Sequence, residues 1–147
     1  MQQTPSTQAT VAPAADPAPY LDAERLDVYV VALQFQSDAA ELARRGDGVV
    51  RDQLRRASLS VLLNIAEGAG ARSCGQKRQL YGIARGSAME CAAIVALLCA
   101  RGLAPLQSAR RARSLLVRIV QMLTRLDQSL ADRQGGSRDV RASGSRG

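Results

Sequence analysis

Four polar residues recur at helical spacing in a stretch that is mostly apolar: Arg56, Ser60, Asn64 and Glu67, at steps of four, four and three. Such steps put side chains on one face of a helix. Ser87 and Glu90, three apart, repeat the pattern on the line of Leu80 and Ile83, and the ten residues after Glu90 carry no charge. The predicted arrangement is a polar network between two helices. Arg56 pairs with Glu67 or Glu90, and Asn64, Ser60 and Ser87 fill the remaining hydrogen bonds. Buried charges must be paired and hydrogen-bonded, because a stranded one costs several kcal/mol. The network has two readings. It fixes helix register or subunit packing, or it presents Glu67 and Glu90 as a catalytic pair of acids with perturbed pKa values.

Little accompanies those acids. The chain contains no His, which removes the commonest general base and metal ligand. Its three cysteines, Cys74, Cys91 and Cys99, form no CxxC and are odd in number, so neither a disulfide framework nor a zinc site is expected. Cys91 and Cys99 read as small core residues. Gly68-Ala69-Gly70 follows a helical stretch rather than a strand and lacks a third glycine, so it is a helix stop and not a phosphate cradle. No catalytic residue, metal or cofactor is predicted, and the expected class is a binding protein rather than an enzyme.

A second pattern concerns phosphate. Arg110, Arg111, Arg113, Arg118 and Arg125 crowd one predicted helix against one acid, Asp127, before its last turn. The net charge of the chain is +7 and its pI about 10.3, which favours acidic partners. The basic residues are Arg apart from Lys77, and Arg grips phosphate or carboxylate with two bonds. The stripe reads either as a phosphate-binding surface or as a plain solvated face. With only 3% aromatic residues and none interleaved in the stripe, base stacking is not expected, so any nucleic acid is held by its backbone.

The elements that position these residues follow from composition and periodicity. Hydrophobic residues make up 46% of the 147-residue chain, with no Trp and one Phe, a core mix suited to helices packed on helices. No stretch alternates with period two. The fold class is all-α, an up-down-up-down antiparallel four-helix bundle spanning 20–133. The first predicted helix covers 21–45 with a stripe of Leu26, Val30, Leu33 and Ala40. The second covers 49–67, with Leu54, Ala57, Val61 and Ile65. The third covers 75–101, with Leu80, Ile83, Ala84, Ile94, Leu97 and Leu98. The fourth runs from Pro105 to Arg133, with Leu115, Ile119, Met122, Leu126 and Leu130. Gly82 and Gly86 share one face and are expected to let two helix backbones approach closely. The Pro-rich leader 1–19 and the Gly/Ser/Arg tail 134–147 are expected to be disordered, with Arg138, Arg141 and Arg146 of the tail read as a weak phosphate-binding arm or as a solubilising segment. The apolar run Cys91–Ala100 falls short of the ~20 residues that a membrane span requires, and the start of the chain lacks signal-peptide features. The expected setting is the cytoplasm, with no membrane partner.

Residues 53–68, QLRRASLSVLLNIAEG, and residues 81–90, YGIARGSAME, resemble the two motifs of the bacterial 23S rRNA intervening-sequence proteins. The similarity extends over most of 21–130. Arg56, Asn64, Glu67, Ser87 and Glu90 stand at marked positions of that pattern. Leu62-Leu63 departs from the smaller or Pro-containing pair frequent in relatives, and the leader and tail depart as well. The resemblance implies a left-handed up-down bundle assembling as a ring-like homopentamer. More distantly, it implies kinship with the basic, pentameric accessory proteins of diversity-generating retroelements, which bind a reverse transcriptase and nucleic acid. Three functions compete on this reading: a homo-oligomer binding RNA or DNA through its Arg-rich surface, a scaffold docking a protein partner such as a polymerase or nuclease, and an enzyme using Glu67 and Glu90.

Overall fold

The computed structural model describes the backbone of residues 19–143 and the side chains of 19–137. A 3-10 turn, Asp22–Arg25, precedes four helices: α1 (Asp27–Ala43), α2 (Gly48–Gly70), α3 (Cys74–Ala100) and α4 (Leu106–Ser143). Each helix packs on its neighbour in sequence, and α1 closes the square against α4. With such short connections successive helices run antiparallel. The result is the expected bundle, and there is no strand among the described residues.

Local chemistry sets the ends. Asp47 caps α2 by accepting from the Val50 amide at 3.0 Å, and Ser73 caps α3 by accepting from Gln76 at 3.1 Å. At the end of α3, Gly102 adopts a positive φ of 68°. It donates to the Cys99 carbonyl, and Leu103 donates to that of Leu98, each at 2.9 Å. This paired closure needs a residue tolerant of the left-handed region. Pro105 lies just before α4, where its carbonyl accepts from the Ala109 amide at 3.0 Å.

The core lies along the four seams and is rich in alanine. On α2 the buried set contains the expected Leu54, Ala57, Val61 and Ile65. On α1 the expected stripe is corrected. Val28, Val31, Ala32, Phe35, Ala39 and Leu42 are buried, whereas Val30, Leu33 and Ala40 face outward. On α3, Ala84 and Leu98 are buried as expected, Leu80 and Ile94 are half-buried, and Ile83 and Leu97 are exposed. Tyr81, Ala88, Cys91 and Val95 complete that side of the core. On α4, Ile119 and Leu130 are buried, but Leu116 and Leu123 take the seam that Leu115, Met122 and Leu126 only flank.

The element boundaries differ in three places. The first helix is broken at Leu26, whose backbone is extended (φ −94°, ψ 125°), after a turn held by the Leu21 amide donating to Glu24 at 2.7 Å. Helix α2 continues through Gly68 to Gly70. Its end is closed by Lys77, whose Nζ donates to the carbonyls of Gly68 (3.0 Å) and Ala69 (2.7 Å). Helix α4 passes Arg133 and continues to Ser143, into the segment expected to be disordered. Arg78 of α3 ties part of that extension down by donating to Gln134 at 3.1 Å and to Asp127 at 2.8 Å. The leader 1–18 and residues 144–147 lie outside the described residues, as do the side chains of Arg138 and Arg141.

The close approach expected at Gly82 and Gly86 occurs instead at Gly68. A Cβ there would lie 2.5 Å from the Tyr81 ring, while one at Gly82 or Gly86 would meet nothing within 4 Å. Gly68→Ala should therefore destabilise the fold by about 1–3 kcal/mol through overpacking. Gly70→Ala, with open space around it, should not. Urea unfolding of the two variants checks this; equal midpoints would show that the Tyr81 ring yields freely.

Candidate nucleic-acid interface and polar seam

The five predicted arginines of α4 are all exposed, but they do not form one face. The buried residues Ala109, Ala112, Leu116, Ile119 and Leu123 define the inner side. Arg111, Arg118 and Arg125 recur every seven residues and form a single line on the outer side toward α1, about 21 Å long at 1.5 Å per residue. Arg110 and Arg113 fall on the opposite flank, toward α3. Among the described residues Arg111 alone of the five makes an ion pair: its Nε lies 3.1 Å from Oδ2 of Asp38, a carboxylate just 15% exposed. That oxygen is buried and receives no well-directed hydrogen bond, so the contact is an ion pair by proximity. Arg110, Arg113, Arg118 and Arg125 make no ion pair among the described residues.

The line ends at a cleft of about 380 Å³ between the start of α1 and α4. Leu26, Val28, Met122 and Leu126 give it an apolar floor, and Arg25 and Arg125 stand at its edge with Asp27. Arg25 was not among the residues singled out from sequence. It lies far from α4 along the chain, so no spacing rule connects it to the stripe.

The polar seam between α2 and α3 is smaller than expected. The hydroxyls of Ser60 and Ser87 lie 2.8 Å apart. Asn64 donates to the Ser60 carbonyl at 2.9 Å and to its hydroxyl at 3.2 Å. All three residues are half-buried. The expected pairing of Arg56 with Glu67 or Glu90 is not formed. Arg56, Glu67 and Glu90 are exposed and make no ion pair or side-chain hydrogen bond among the described residues. They sit one step further round their helices, where the side chain reaches water and avoids the cost of burial.

Other functional groups are structural in placement. Among the described residues no cluster of three or more His, Cys, Asp or Glu side chains gathers to hold a metal. The cysteines are free; Cys91 is buried and Cys74 and Cys99 are half-buried. Burial, aided by the nearby Glu90 charge, pushes the Cys91 thiol up to about 12.

The family model for the 23S rRNA-intervening sequence protein matches residues 24–125. The chain belongs to that family. The matched span takes in α1, α2, α3 and α4 as far as Arg125, including Arg110, Arg111, Arg113 and Arg118. No curated protein matches the chain. In this intervening-sequence protein Gly68 and Tyr81 lie within the two quoted motifs, and they are joined by packing rather than by chemistry. Tyr81 and Lys77 were missed in sequence because both act on the end of the preceding helix, across a turn that periodicity does not describe.

The Cys91 environment makes a direct prediction. At pH 8 its thiolate fraction is about 10⁻⁴, so an alkylating reagent should leave it unmodified in the folded protein. Peptide mapping by mass spectrometry reads this, and labelling of Cys91 as fast as Cys74 would contradict its burial.

Proposed function

We propose that this intervening-sequence protein is a non-enzymatic, homo-oligomeric helical bundle that binds the backbone of RNA or DNA. The observation that carries the reading is the line of Arg111, Arg118 and Arg125, continued by Arg25 across the cleft. Three of these four guanidiniums have no acidic partner to neutralise them among the described residues. A surface of this kind recruits phosphates and releases their counterions. It offers no aromatic platform, so sequence is read poorly. A pentamer is the assembly the family resemblance implies, and it would repeat the arginine line around a ring. No reaction, metal or cofactor is assigned, and the setting proposed is the cytoplasm.

A second reading is favoured by a different observation. Large aliphatic side chains of α2 and α3 are exposed, including Leu59 and Leu63 at 50% each. A scaffold that docks a polymerase, a nuclease or a reverse transcriptase would use such a surface, with little nucleic-acid affinity of its own.

The two readings separate in a salt series with a structured rRNA fragment, unrelated RNA and duplex DNA. The phosphate-binding reading predicts a steep fall of affinity with salt. It also predicts that changing Arg111, Arg118 and Arg125 together to Gln lowers the duplex slope by about 2–3, at about 0.9 per phosphate contact. Absence of binding at low salt would remove this reading and leave the scaffold.

A further inference from the structure

The outer side of α2 and α3 is unusual for the surface of a finished bundle. Leu59 and Leu63 of α2, with Ile83, Met89 and Leu97 of α3, are all more than a third exposed. Helix α3 is long and apolar enough to cross a membrane by length and composition, yet only 28% of its most apolar stretch is buried within the chain. A core helix would account for such a composition by burial; this one does not. A bilayer does not account for it well either, because Arg85 and Glu90 lie within the helix and Arg85 reaches across to Thr124 of α4 at 3.1 Å.

Charge selects the occupant. The Ser60–Ser87 contact fixes the antiparallel register of the two helices. One turn before Ser60 stands Arg56, and one turn after Ser87 stands Glu90, so both lie at the same end of this apolar side. Glu67 lies toward the other end. All three are exposed and make no ion pair among the described residues. A surface of one sign would repel its own copy, whereas this one carries Arg56 with Asp52, Glu67 and Glu90 among large aliphatics, so a second copy can meet it with charges of opposite sign. Gly82 and Gly86 lie between these residues, with open space where a Cβ would project. They give a neighbouring helix room to approach.

We infer that the α2–α3 side is the surface on which a second copy of this chain docks, with Arg56 of one copy paired to Glu90 or Glu67 of the next. This rests on the homo-oligomer reading above and names its contact surface. The motif residues left unpaired in one chain then acquire partners between chains. Desolvated pairs of this kind give specificity and register to an otherwise apolar contact.

The test uses the full chain in sedimentation velocity, with circular dichroism to confirm that each variant keeps its helices. The wild type should sediment as a multiple of 15.6 kDa. Gly86→Arg fills only open space in the single chain, so it should leave helicity intact and reduce the particle to 15.6 kDa. Arg56→Glu should raise the dissociation constant at least about tenfold, the effect of losing about 1.4 kcal/mol. Combining it with Glu90→Arg or Glu67→Arg should restore assembly and identify the acid. A wild-type oligomer indifferent to Gly86→Arg and Arg56→Glu would overturn this surface while leaving self-association standing. A wild type that is monomeric at all concentrations would overturn both. A monomer that floats with neutral lipid vesicles would also overturn the inference, by giving the surface to a membrane. Loss of assembly in Arg56→Glu that neither acid reversal repairs would overturn the charge pairing.

Discussion

Alanine at the helix seams sets how closely the four helices approach, and much else follows from that closeness. Ala32, Ala39, Ala57, Ala84, Ala88 and Ala112 are buried where neighbouring helices meet. A core with so many small side chains, and with Phe35 and Tyr81 as its only buried aromatics, must pack tightly to exclude voids. The Gly68–Tyr81 contact is the extreme case: the ring occupies the space of a missing side chain. Close seams leave room inside for only some of the large aliphatics. Leu54, Ile65, Leu98, Leu116 and Leu123 are taken in, and Leu33, Leu59, Leu63, Ile83 and Met89 are left outside. Four of these, Leu59, Leu63, Ile83 and Met89, lie on the outer faces of α2 and α3, and exposed apolar area of this kind marks a binding surface.

The two sides of the square therefore have different characters. Helix α4 turns its arginine line outward, and Asp38 moderates it at Arg111. Helices α2 and α3 turn outward Leu59, Leu63, Ile83, Met89 and Leu97, with Arg56, Glu67 and Glu90 set among them. Helix α2 occupies the corner diagonal to α4. A phosphate backbone lying along α4 would leave the α2–α3 side free, so nucleic-acid binding and self-association do not compete for the same residues. Repetition of the arginine line around an assembly would multiply weak backbone contacts through effective concentration.

Much of the bundle was legible in the sequence because helix type and helix ends are local properties. Capping by Asp47 and Ser73, closure at Gly102 and the α2 stripe are all encoded within a few residues. The phase of the other stripes was not. In α1 an alanine-rich sequence offers apolar residues on several faces, and the choice between Val30–Leu33 and Val31–Phe35 is made by which neighbour the helix meets. The same ambiguity displaced α4 by one residue. The polar seam was legible in part: spacing placed Ser60, Asn64 and Ser87 together, but it reports direction around a helix and not depth. Arg56, Glu67 and Glu90 share that direction closely enough to look buried, yet they lie further round their helices, where the charge reaches water. The cap by Lys77, the Arg78 anchor on Gln134 and the place of Arg25 beside Arg125 are long-range, and no periodicity contains them.

The central claim is that the aliphatic side left open by a tightly packed bundle is covered by another copy of the chain. Met89 reports on it, being 54% exposed in the single chain on the outer face of α3. Hydroxyl-radical footprinting read by mass spectrometry would follow its oxidation over a dilution series. The account predicts slow oxidation of Met89 at concentrations where the protein is assembled and a marked rise on dilution. Oxidation at the rate of a freely exposed methionine across the whole series would contradict it.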